Sequence, residues 1–143
     1  MTSLDSRAKR VLALLAVLSV AFALRAAAAP KGAPRVLLLV QQPPQLAAAL
    51  RTAVELLAGH GFPASEAEIV VCGPAAHSLV KGDKLEPLLA EAHAKGVRLV
   101  ACGLTLEEKK IDRATLSPSV EVAPNGFVEV LQRKSEGWLT VEL

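Results

Sequence analysis

Tyrosine is absent from this 143-residue chain, and its aromatic residues amount to one tryptophan and three phenylalanines. A surface that stacks nucleobases on aromatic rings is therefore not expected. Charge of one sign is equally scarce: 16 Lys and Arg stand against 14 Asp and Glu. Beyond the first 29 positions the balance is 12 basic to 13 acidic residues, so no basic excess remains to attract nucleic acid. Glycine patterns that cradle phosphates are missing as well: no strand end is followed by G-x-G-x-x-G or G-x-x-x-x-G-K. A G-x-S-x-G elbow is also missing, and no paired-carboxylate motif stands out. These absences argue against dinucleotide, P-loop and serine-hydrolase chemistry, and no cofactor is expected.

The N-terminus carries an address. Arg7, Lys9 and Arg10 form a basic segment, followed by the 14-residue apolar run Val11–Leu24, interrupted only by Ser19, and by the small residues Ala26–Ala29. A membrane span needs roughly 18–20 apolar residues, so the run reads as a cleaved Sec-type signal peptide over residues 1–29. No cysteine near Ala29 offers a site for lipid attachment, and Arg7 lacks the second arginine of a twin-arginine signal. The expected location is the bacterial periplasm or the exterior. Residues 30–143 then suit one small domain with a single core.

Within that domain, strand-like and helix-like patterns alternate. Arg35–Val40 is a near-continuous apolar run, as in a strand buried on both faces. Gln41, Gln42, Pro43, Pro44 and Gln45 read as a polar loop, and Leu46, Leu50, Ala53, Val54 and Leu57 recur at helical spacing. Glu68–Val71 predicts a second strand ending in Cys72-Gly73-Pro74. Leu85, Leu88, Leu89 and Ala92 mark a helix over Lys84–Lys95, whose Pro87 must lie in the first turn. Val97–Ala101 is the third strand. It runs into Cys102 and Gly103, and then into a helix expected to start at Thr105, where Thr105 and Glu108 form a capping box. That helix is expected to end near Ile111–Arg113. Ser119–Val122 is a fourth strand, Asn125 caps a helix turning Phe127, Val130 and Leu131 inward, and Trp138–Leu143 is the last strand. The alternation predicts an α/β fold: a three-layer α/β/α arrangement around a mainly parallel sheet of about five strands.

Cys72 and Cys102 are the only cysteines. If the strands they terminate are neighbours, both sit at the carboxyl edge of the sheet, where α/β proteins keep their sites. In an oxidising compartment they can be a disulfide, a reactive pair or two independent thiols, and the sequence leaves all three open. Cys102 is the candidate for chemistry. Gly103 removes a side chain beside its sulfur, and the N–H groups of a helix starting at Thr105 favour a thiolate, the form that attacks sulfane sulfur or a disulfide. Cys72 is the candidate resolving or disulfide partner, with Gly73, His77, Gln41 and Gln42 lining the approach. Cys72, His77 and Cys102 match no compact zinc spacing, so no metal is expected.

From about Arg35 onward the chain resembles the DsrE/DsrF-like family of small sulfur-relay proteins, exported members in particular. The residues that carry the resemblance are Val70–Ala75 and Lys95–Leu106, with Ile111, Val120–Val122, Gly126, Glu129, Leu131-Gln132 and Gly137-Trp138 continuing the pattern in order. The resemblance implies a three-layer parallel-sheet fold, assembly into trimers or hexamers, and a cysteine at position 102 that carries sulfur as a persulfide. It also implies a sulfur donor or acceptor protein as partner. The function expected on these grounds is periplasmic sulfur handling. The alternative is a non-catalytic oligomeric binding module held by a structural Cys72–Cys102 disulfide.

Overall fold

The computed structural model describes residues 32–143, so the expected signal segment, residues 1–29, lies outside the described part. Five strands, β1 (Arg35–Val40), β2 (Glu66–Val71), β3 (Arg98–Cys102), β4 (Val120–Ala123) and β5 (Leu139–Glu142), form one sheet in the order β4-β3-β2-β1-β5. Every neighbouring pair is parallel. Four α-helices connect them: α1 (Pro43–Leu57), α2 (Glu86–Ala94), α3 (Gly103–Glu108) and α4 (Gly126–Ser135).

Side chains of successive strand residues point to opposite faces, and that alternation sorts the apolar residues into two cores. Val36, Leu38, Val40, Ile69, Val71, Leu99 and Ala101 face one side, against Leu46, Ala49, Leu50 and Ala53 of α1 and Leu89 and Ala92 of α2. Leu37, Leu39, Val70 and Val100 face the other, with Cys72, Cys102, Ala123, Val130 of α4 and Trp138. Burial on both faces explains why β1 reads as an unbroken apolar run. The α/β fold and its parallel sheet are as the alternation predicts.

Several boundaries differ from the sequence expectation. Helix α1 starts at Pro43 rather than after Gln45, because two prolines fit the first helical turn, where a missing N–H loses no bond. Helix α3 starts at Gly103, directly on the end of β3, which puts Thr105 inside the first turn. The Thr105–Glu108 capping box therefore does not form. The helix also stops at Glu108, short of Ile111: Lys110 takes a positive φ of 55° and Ile111 N–H closes back on Leu106 C=O at 2.9 Å. Asn125 does cap α4, its side chain accepting from Phe127 N–H. Only Val130 of the three residues expected to turn inward is buried; Phe127 and Leu131 are exposed.

The second face also holds a charged residue. Glu68, in the middle of β2, is fully buried beneath α4. Its Oε2 accepts from Arg98 of β3 at 2.9 Å and from Arg133 of α4 at 2.9 Å. Glu129 of α4 accepts from Arg98 at 2.8 Å and pairs with Arg133 at 3.0 Å. These ion pairs fix α4 to the sheet at the end away from the cysteines, and so determine where its N-terminus comes down.

Candidate functional site

The parallel register of β2 and β3 sets Val71 beside Ala101. One residue further on, it brings Cys72 and Cys102 side by side at the carboxyl edge of the two strands. Both are free thiols, and both are buried. They share the apolar cluster of the second face with Val70, Val100 and Ala123.

The lid over them is the first residue of α4. Gly126 donates its backbone N–H to Cys102 Sγ at 3.2 Å. A Cβ at Gly126 would lie 2.7 Å from Cys72 Sγ, 2.9 Å from Cys102 Cβ and 3.0 Å from Val70 Cγ1. Only a hydrogen fits there, so glycine is what lets a helix N-terminus, with its outward N–H groups and positive dipole end, close directly over the sulfur pair.

The electrostatics of the two sulfurs diverge. Burial pushes the Cys102 thiol up, but the Gly126 N–H, together with the backbone and hydroxyl of Thr105, outweighs it and holds Cys102 below the ordinary thiol value. Thr105 acts short of a capping bond, since Cys102 makes no side-chain cap to α3. Cys72 is pushed up to about 12, first by burial and then by the neighbouring Cys102. Cys102 is therefore the more acidic sulfur of the pair, and Cys72 the one that keeps its proton.

The other expected site residues divide. Gly73 follows Cys72 with a positive φ of 55°, and its N–H donates to Thr105 Oγ1 at 3.1 Å, tying the turn after β2 to α3. Gln41 joins this turn through its backbone carbonyl, which accepts from Ala75 N–H at 3.0 Å. Gln42 is exposed and precedes α1 without a side-chain cap. His77 is exposed on the 3-10 helix Gly73–Leu79 and does not join the cysteines. Among the described residues no three His, Cys, Asp or Glu side chains are grouped to hold a metal ion. Gly103 plays a different part from the open approach expected of it. A Cβ there would meet Pro124 O at 2.9 Å and Ala123 O at 3.0 Å, so its role is to let the end of β4 pack tightly against α3.

Gly126 and the ion pairs that anchor α4 were not legible as site features. The signal for Gly126 is the Asn125-Gly126 helix start just after the fourth strand, which β3–β4 pairing brings to Cys102: Cys102 lies opposite Ala123. The signal for Glu68 is a lone acidic residue inside the apolar run of β2.

No protein-family model matches the chain, and no curated protein sequence matches it. Solved structures do. A protein of unknown function, MTH1491 from Methanobacterium thermoautotrophicum, superposes with a TM-score of 0.69 at 21% identity, covering 77% of this chain and 99% of that one. The ychN protein from E. coli gives 0.66 at 17% identity over 77% and 99%. A conserved protein of unknown function, BT1422 from Bacteroides thetaiotaomicron, gives 0.63 at 11% over 77% and 95%. What the chain shares with these proteins is their fold, a five-stranded parallel sheet with helices on both sides.

Proposed function

We propose that this is a sulfur-handling protein in which Cys102 accepts sulfane sulfur as Cys102–S–SH and passes it to a thiol or protein acceptor. The observation that carries the reading is the depressed, N–H-bonded sulfur of Cys102 at the carboxyl edge of the sheet. A thiolate is the species that attacks sulfane sulfur, and the same N–H stabilises the charge when it returns at the end of transfer. The resemblance to exported sulfur-relay proteins supports the same assignment. In this reading the chain acts outside the cytoplasm after loss of residues 1–29, and reduced protein sediments as a trimer or hexamer.

Cys102 is buried beneath Gly126, so a donor reaches it when the N-terminus of α4 lifts. The test is intact mass of reduced protein exposed to inorganic polysulfide and then alkylated. Wild type is expected to gain about 32 Da, one sulfur atom, mapped to Cys102, and Cys102→Ser to gain nothing there. Absence of the adduct in protein with two confirmed free thiols sinks the proposal.

A second reading rests on the adjacency of the two cysteines: a structural Cys72–Cys102 disulfide in a non-catalytic binding module. It expects protein isolated without reductant to be about 2 Da light, as one disulfide requires. It also expects either single cysteine variant to lose about 2–4 kcal/mol of stability under oxidising conditions.

A further inference from the structure

The structure leaves Cys72 with no part in carrying sulfur, yet sets it against the carrier. The parallel register places it beside Cys102, both side chains lie on the same face, and Gly126 contacts both sulfurs, its Cα side against Cys72 Sγ and its N–H on Cys102 Sγ. We propose that Cys72 releases the cargo: its sulfur attacks Sγ of the Cys102 persulfide and expels the outer sulfur as hydrogen sulfide, leaving a Cys72–Cys102 disulfide. The inference rests on the reading of Cys102 as a persulfide carrier and adds the acceptor, an internal thiol, and the product.

The step balances without an outside oxidant. The bond between Cys102 Sγ and the outer sulfur breaks, and a bond between Cys72 Sγ and Cys102 Sγ forms. The two cysteine sulfurs are each oxidised by one electron, and the sulfane sulfur takes both electrons to become sulfide. Starting from the persulfide anion, Cys102–S–S⁻, the proton of Cys72 passes to the departing sulfur, which leaves as hydrosulfide. A dithiol reductant then reopens the disulfide and returns both thiols.

Geometry favours attack on the inner sulfur over transfer of the outer one. Cys102 Sγ is the sulfur that the register holds next to Cys72, whereas the outer sulfur projects beyond it. Loading Cys102 moves its negative charge outward to the terminal sulfur, which weakens the repulsion that adds to burial in keeping Cys72 protonated in the resting pair.

The test compares wild type with Cys72→Ser and Cys72→Ala, two replacements that differ in polarity so that a folding defect in one does not decide the result. Reduced protein is loaded with inorganic polysulfide, freed of excess reagent and followed without reductant by intact mass and by sulfide assay. Wild type is expected to convert to the disulfide with release of one equivalent of sulfide, at a rate independent of protein concentration. Both variants are expected to hold the Cys102 adduct about ten-fold longer or more. A wild-type adduct as long-lived as the variants', an adduct that migrates to Cys72, or sulfide without disulfide overturns the release step and leaves the carrier reading standing. Failure of every form, variants included, to take up sulfur at Cys102 overturns the carrier reading and this inference with it.

Discussion

At the sulfur of Cys102, burial and hydrogen bonding pull in opposite directions, and the backbone N–H of Gly126 is the largest of the contacts that favour the thiolate. Burial, and then the same charge, raise its neighbour, so the pair titrates in two separated steps rather than as two equal thiols. Ultraviolet thiolate absorbance of reduced protein should show one step below the ordinary value of 9.0 and a second near 12. The lower step should vanish in Cys102→Ser and the upper one in Cys72→Ser. The linkage has a definite sign for Cys72. Its raised value means that the folded state keeps a proton which the unfolded chain gives up, so stability is lost as pH rises from 9.0 toward 12. Gly126→Ala tests the lid. A methyl group at 2.7 Å from Cys72 Sγ forces α4 outward, which should cost about 1–3 kcal/mol and move the lower step upward. An unshifted lower step in the folded variant would mean that Gly126 does not set the charge of Cys102.

Helix α4 is the element that joins the site to the rest of the fold, and charge rather than apolar packing anchors it. Of its apolar residues only Val130 is buried, whereas Glu129 and Arg133 meet Glu68 and Arg98 in a shared network. Burial holds the Glu68 carboxyl above its ordinary value in spite of the two arginines. The carboxylate is thus the expensive member, because it lies wholly inside while both arginines reach solvent. Removing a partner strands a buried charge. Arg98→Met is expected to cost about 3 kcal/mol or more, and Glu68→Leu distinctly less, since it leaves Glu129 to hold both arginines. Urea denaturation at neutral pH measures both, and equal losses would refute the ranking. The sequence shows the helical period and the Asn125 cap of α4, but not this anchoring. An isolated acidic residue in an apolar strand says that something must neutralise it, and only the sheet order brings Arg98 and Arg133 to it.

Over the whole molecule, the parallel α/β architecture was legible because its signals are local and repeated: apolar runs of strand length, helical periods and turn residues between them. The pairing of Cys72 with Cys102 was legible too, since two strands joined by one helix tend to be neighbours. The misreadings share a cause. Thr105 looks like a helix cap and Gly103 like an opening only while tertiary neighbours are ignored; in the fold, Thr105 is claimed by Gly73 N–H and Gly103 by the end of β4. His77 and Gln42 follow the right strand ends yet turn to solvent. The two faces of the sheet are also unequally covered, with α1 and α2 on one and α4 alone on the other. Detaching α4 exposes both sulfurs and leaves the larger core intact, so the rate at which a reagent reaches Cys102 is set by the free energy of this partial opening, not by thiol chemistry alone. Alkylation of the native protein should then accelerate with urea along a shallower slope than global unfolding. Mutations at Arg98, far down the strand from the sulfur, would govern how often Cys102 is available to react at all.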